Sequence, residues 1–200
     1  MDGAVRLTMP KNGREKAALD FARDKADWLQ AAMDRQPKQQ LVGYESALPI
    51  EGQIYTIRKA AVRTPRLEGT DLLIGGNEAT LGKRLAGYLK GLARDRLALA
   101  SRHYADKLDR EFSKITLRDT RSRWGSCTHD GNLMFSWRLI LAPPSVLDYV
   151  AAHEVAHLVE MNHSPAYWAN VARIMPEFET HRRWLKTHGS DLHRYQFVGT

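Results

Sequence analysis

His153-Glu154-Val155-Ala156-His157, followed six residues later by His163, is the stretch on which the reading of this chain turns. Its surroundings predict a helix. Pro143-Pro144 lead to Ser145, whose hydroxyl, three residues before Asp148, suits an N-terminal cap. Neither Gly nor Pro intervenes before Met161, and Val146, Leu147, Tyr149, Val150, Val155, Leu158 and Val159 leave almost no polar face. The helix should therefore be buried and should run to about Asn162. Residues three or four apart lie one above another on a helix, so Val146, Val150, His153 and His157 share a stripe and the two imidazoles point the same way. Glu154 falls about 100° further round, beside the pair.

Two imidazoles at this spacing can hold Zn²⁺ through ring nitrogens, and the adjacent carboxylate can take a proton from water at the metal. This is the zincin arrangement. A catalytic zinc commonly has three protein ligands, so a third must come from outside the turn. His163 is the first choice: Asn162 tolerates the left-handed conformation that ends a helix, and Ser164-Pro165 reads as the cap and first position of the next one. His163 would sit at that corner. The alternative third ligand is Glu177 or Glu179, further downstream. Cys127 is the only cysteine, which excludes an intrachain disulfide or a cysteine-based zinc site and suits a buried structural thiol better than a metal ligand.

The chain has 200 residues, 43% of them hydrophobic, and a formal charge of +7, which suits a globular protein with a substantial core. No apolar run approaches the ~18 residues of a membrane span, and Met1-Asp2-Gly3 does not begin a basic-then-apolar signal, so a cytoplasmic protein without membrane partners is expected. Residues 1–40 read as an N-terminal strand (5–9) and helix (14–33), ended by Pro37 and packed on a main domain of residues 41–200. Strands are expected over 53–58 and 71–74, and a long helix over 78–108 with Leu81, Leu85, Tyr88, Leu89, Leu92 and Leu99 at helical spacing. Eight Lys or Arg against three Asp between positions 81 and 110 make it basic, read either as a solvated face or as an electrostatic footprint for nucleic acid. A strand over 112–120, a compact polar loop over 121–127, a turn at Asp130-Gly131 and a strand over 132–141 then lead into the histidine helix. Trp137, Trp168 and Trp184 read as core. His181, His188 and His193, with Arg182, Arg183 and Arg194, read as a solvated helix and tail that Gly189 interrupts.

Taken together, Arg123-Trp124-Gly125-Ser126-Cys127, the run from Phe135 through Pro143, Leu147-Asp148-Tyr149-Val150, His153-Glu154-Val155-Ala156-His157-Leu158, and Asn162-His163-Ser164 with Trp168 closely resemble the YgjP-like metallopeptidase family, which is related to the SprT-like zinc proteases. The resemblance is dense over about 115–185. It departs only in small ways: Val155 stands where the family often has Leu, and Tyr167 where it often has Phe. It implies an α+β zincin-like fold, a small β-sheet packed on helices with a buried active-site helix. By position it implies one Zn²⁺ held by His153, His157 and His163, with Glu154 as the catalytic residue. The resemblance leaves the substrate open; Glu154 favours action on peptides or unfolded protein segments, and from the residues alone Tyr167, His129 and Arg123 are unranked candidates for stabilising an oxyanion. A second reading is a nucleic-acid-associated module or protease acting on DNA-bound proteins, suggested by the SprT-like relationship and the basic helix.

Overall fold

The computed structural model describes residues 7–34 and 38–197, and the chain forms two compact units, residues 1–38 and 39–200. In the smaller unit, α1 (Glu15–Asp24) and α2 (Ala26–Asp34) replace the single helix expected over 14–33. Lys25 interrupts it: its N–H still reaches the Phe21 carbonyl, but a ψ of 8° turns the chain off the helical path. Of the strand expected at 5–9, residues 5 and 6 lie outside the described residues and 7–9 are not a strand; Pro37 also lies outside them.

The larger unit begins with β1 (Gln40–Leu41) and a four-stranded sheet of β2 (Ala47–Ile50), β3 (Gln53–Lys59), β4 (Arg66–Glu68) and β5 (Asp71–Ile74), in spatial order β2-β3-β5-β4. β2 contains Pro49, which a central strand would exclude, but β2 is an edge strand and tolerates it. Glu51 and Gly52 join β2 to β3 with φ of 49° and 78°, the mirror-image turn that matches the strands' twist.

The long helix α3 (Glu78–Leu108) has the expected limits. The Asn77 side chain accepts a hydrogen bond from the Thr80 N–H at 3.0 Å at its start, and Asp109 ends it in the left-handed conformation. Leu81, Leu85, Leu89, Ala93, Leu97, Tyr104 and Leu108 form its buried face, whereas Leu99, expected to join them, is 62% exposed.

A second sheet, ordered β6-β8-β7, comes next. β6 (Lys114–Arg118) runs parallel to β8 (Asn132–Ser136), and β7 (Gly125–Cys127) runs antiparallel to it, so the expected polar loop over 121–127 ends in a strand. The turn forms where expected, the Gly131 N–H bonding to the Thr128 carbonyl at 2.9 Å. The strand expected to continue to residue 141 stops at Ser136; Trp137–Leu141 is a buried 3-10 turn that hands the chain to α4 (Pro144–Ala156).

Pro144, not Ser145, opens α4, its fixed φ and missing N–H fitting the first helical position. Nearly all of α4 is buried against α3, α5 (Pro165–Ile174), α6 (Phe178–His188) and β7. Ala151 and Ala152, both fully buried, let its neighbours approach closely. A 3-10 turn (Gly189–His193) follows α6, and β9 (Tyr195–Gln196) pairs in parallel with β1. Among the described residues, no helix is long and apolar enough to cross a membrane.

Candidate metal centre

The end of α4 shapes the site. Helical bonding does not continue to residue 162: His157 caps the helix, and its N–H and that of Leu158 bond to the carbonyls of Glu154 and Val155, three residues back. This tightening is how a helix end satisfies carbonyls that lack a fourth-residue partner. The His157 ring helps fix the turn, with Nδ1 3.1 Å from the Glu160 carbonyl. Because a carbonyl only accepts, Nδ1 carries the proton there, which leaves Nε2 with a free lone pair.

His163 stands just before α5. Ser164 caps that helix as expected, accepting a bond from the Tyr167 N–H at 3.2 Å, with Pro165 in the first position. The corner returns His163 to α4, where its Nε2 lies 3.2 Å from Nε2 of His153. One ligand nitrogen each from His153, His157 and His163 lie within 4.8 Å of one another. Two nitrogens bound to one tetrahedral zinc at 2.0–2.1 Å stand about 3.3 Å apart, close to the 3.2 Å between the His153 and His163 nitrogens. Nε2 of His153 and Nε2 of His163 face each other, and a cation bound between them would use the lone pair of both. The residues therefore fit a divalent metal favouring nitrogen donors. Burial, and secondarily the neighbouring His157 and His163, push His153 down to about 3; burial also lowers His157, against its Glu160 bond. Both rings are thus held neutral, the form that binds metal.

Tyr167 underlies all three rings. Its hydroxyl donates to the His153 carbonyl at 2.8 Å, its ring stacks on His157 at 4.5 Å, and His163 meets it edge-on at 4.7 Å. Fully buried and so engaged, it supports the histidines and is not placed to meet an oxyanion. Glu177 and Glu179, the alternative ligands, are exposed and lie outside the histidine group; Cys127 is also outside it, its thiol donating to the Thr128 carbonyl at 3.3 Å and raised by burial to about 11.

Glu154 is 5% exposed, and burial pushes its carboxyl up to about 8 while Arg123 pulls it the other way. It lies directly against β7: a Cβ added to Gly125 would fall 2.5 Å from Oε1 and 2.6 Å from Cγ. Gly125, expected only as part of the polar loop over 121–127, therefore stands where a side chain would displace the carboxylate. A cleft of about 330 Å³ opens here, lined by Arg123, Gly125, Tyr149, His153, Glu154 and the α6 residues Arg182 and Lys186. A larger hollow, about 570 Å³, lies on the other side of α4 around Arg96, His103 and Asp148, away from the histidines.

Three features escaped the sequence reading. Arg182 and Lys186 line this cleft; their signal was their spacing of four on one helix face. His193, expected in a solvated tail, packs on Trp124 at 5.1 Å and is pushed by burial down to about 4. Arg138, 6% exposed, ties three segments together: it bonds Asp119 twice, at 2.6 and 3.1 Å, and the carbonyls of Leu192 and Tyr195 at 3.1 and 2.9 Å. No local pattern marks a buried arginine.

An α+β scaffold that carries its donor group at the end of a buried helix, beside a buried glutamate, is zincin-like. The chain belongs to the YgjP-like metallopeptidase family: the family model described as "YgjP-like, metallopeptidase domain" matches residues 1–188. No curated protein matches the sequence. Among solved structures, the crystal structure of the metallopeptidase zymogen of Pyrococcus abyssi abylysin is similar, at 18% identity and a TM-score of 0.41 over 45% of this chain and 92% of that one.

Proposed function

We propose that this protein is a zinc-dependent peptidase in which His153, His157 and His163 hold the metal and Glu154 is the general base. The observation that carries this reading is the buried Glu154 carboxyl set beside three convergent imidazoles and open to one cleft. A purely structural metal site gains nothing from such a carboxylate. Zinc, when bound, supplies the Lewis acid that polarises a peptide carbonyl and makes water a stronger nucleophile. Glu154 takes the proton of the attacking water and later passes it to the departing amine. Gly125 holds this carboxyl in line by leaving room for it, and the outer edge of β7 offers backbone groups to an extended peptide. β7 is the strand that borders Glu154, so a peptide paired along it would pass the carboxyl.

The test is one preparation of three proteins, purified without chelator or nickel. The wild type should carry one zinc per chain by elemental analysis and cleave an unfolded protein substrate. Glu154→Gln should keep the zinc and lose about a thousandfold in rate, and His163→Ala should lose most of the zinc. A Gln variant of full activity would remove Glu154 from the mechanism, and zinc retained by the Ala variant would remove His163 from the ligands.

A second reading, association with nucleic acid, has one observation in its favour. On α3, Gly87 and Gly91 leave a hollow of about 420 Å³ bordered by Lys90, Arg94 and Arg118, with Asp119 the acid beside them. Binding of duplex or single-stranded DNA that falls steeply with salt supports it; no binding near physiological salt excludes it.

A further inference from the structure

We propose that Arg123, Arg182 and Lys186 form a carboxylate-recognising wall, so that preferred substrates carry an acidic side chain or a free C-terminal carboxylate within a residue or two of the bond that is cut. The proposal rests on the peptidase reading above and adds the substrate class.

The cleft holds three cations and one acid. Arg182 and Lys186 stand one turn apart on α6, Arg123 comes from the segment leading into β7, and the single carboxyl among them is Glu154. Among the described residues none of the three cations makes an ion pair. This holds even for Glu179, which shares the adjoining hollow with Arg182, Arg183 and Lys186. By contrast Arg96, which borders the hollow on the other side of α4, is paired with Glu51 at 2.6 Å. Arg182 is half-buried while Arg123 and Lys186 are exposed, and like charges gathered along one concave wall favour a guest carboxylate.

Position makes the wall selective. The Arg182 guanidinium lies over the Trp168 ring, 4.4 Å from its centroid, and the same ring faces His163 at 5.7 Å. A stacked guanidinium keeps its planar fork free for two parallel bonds to a carboxylate and loses little freedom in making them. The Trp168 ring thus fixes the recognition group at a set distance from the histidines, which is what a specificity subsite requires. Arg123 lines the cleft from the segment before β7, whereas Arg182 and Lys186 stand together on α6, which makes them the pair to test.

The experiment uses the zinc-loaded full-length protein and peptides identical except for one flanking residue, Glu, Gln or Lys, each with a free or an amidated C-terminus. The Glu peptide should exceed the Gln peptide about tenfold in kcat/KM, with Lys poorest. The double variant Arg182→Gln/Lys186→Gln should bring the Glu-to-Gln ratio near one. The ratio is the deciding quantity, because cations that served only the transition state or the fold would lower both rates together. Dependence on the amidation arm alone assigns the wall to a C-terminal carboxylate, and dependence on the internal residue assigns it to acidic side chains. Equal cleavage of Glu and Gln peptides with either terminus, or a ratio unchanged in the double variant, overturns the proposal. Should no peptide be cut, the peptidase reading fails, and calorimetric binding of the same peptides to Glu154→Gln still decides: equal affinities overturn the carboxylate wall. Competition by a DNA oligomer but not by the Glu peptide overturns it as well and reassigns the cations to nucleic acid.

Discussion

Two buried polar clusters in this protein are built on opposite plans. At the Arg138 clamp, a guanidinium 6% exposed meets Asp119 and two backbone carbonyls, all supplied by the chain. At the histidine centre, Nε2 of His153 and Nε2 of His163 face each other at 3.2 Å, and a carboxyl is held buried against a glycine. Facing ring nitrogens lack a shared partner within the chain, and a cation that binds both would complete them. The difference teaches how to tell a structural polar cluster from a working one: one is complete in itself, the other is arranged around what it lacks.

The comparison breaks first at the clamp. Arg138→Met should destabilise the protein by about 3 kcal/mol, because it strips Asp119 and two carbonyls of their partner at once. That lowers the melting temperature by roughly 6–12 °C for a chain of this size. Added zinc should still raise the melting point of this variant, since a ligand stabilises whichever native state can bind it. In His163→Ala, by contrast, the zinc-induced rise should be lost while the zinc-free melting point moves little. Thermal denaturation with and without zinc reads both, and a clamp variant blind to zinc would mean the two clusters are not separate.

Gly125→Ala attacks the other plan. The new methyl would overlap the Glu154 carboxyl, and Gly125 has no left-handed backbone to forbid alanine, so the effect falls on the carboxyl rather than on folding. Displacing a catalytic group by about 1 Å costs on the order of a hundredfold in rate. Hydrolysis should fall by that amount with zinc content unchanged. A variant of normal activity would show that Glu154 is not held by this contact.

What the sequence disclosed and what it hid follow the same division. The limits of α3 were readable because its signal is local, leucines at helical spacing, and the structure adds Asn77 as its cap and a left-handed Asp109 at its end. The histidine grouping was readable for the same reason, since a spacing of four on a helix and the Ser164-Pro165 start place all three rings. The end of α4 was not, because no Gly or Pro marks it; a ring nitrogen bonding to a carbonyl three residues on fixes that turn. β7 was hidden because three residues carry no periodicity and owe their conformation to β8. The role of Gly125 appears only when that strand is laid against α4. Arg138 was hidden too, since its partners lie 19, 54 and 57 residues away.

The smallest effect concerns the clamp's exposed half. Burial opposes ionisation of Asp119, but the hydrogen bond and charge of Arg138 outweigh it and hold the carboxyl below the usual aspartate range. A carboxyl whose pKa is depressed by folding stabilises the fold fully above its unfolded value, about 3.9, and loses that contribution as pH falls through the lower folded value. Asp119 is 46% exposed, so water and salt screen the pair and the contribution should be about 1 kcal/mol or less. Asp119→Asn should therefore cost far less than Arg138→Met, because Arg138 keeps its two carbonyls and the amide oxygen can still accept one bond. The signature is the shape of the pH dependence: wild type and variant should differ by a constant amount above about pH 5 and converge as the pH falls through the lowered folded value. Urea denaturation across that range measures it. A difference that persists undiminished at the acid end would mean that Asp119 acts on the clamp through packing and not through its charge.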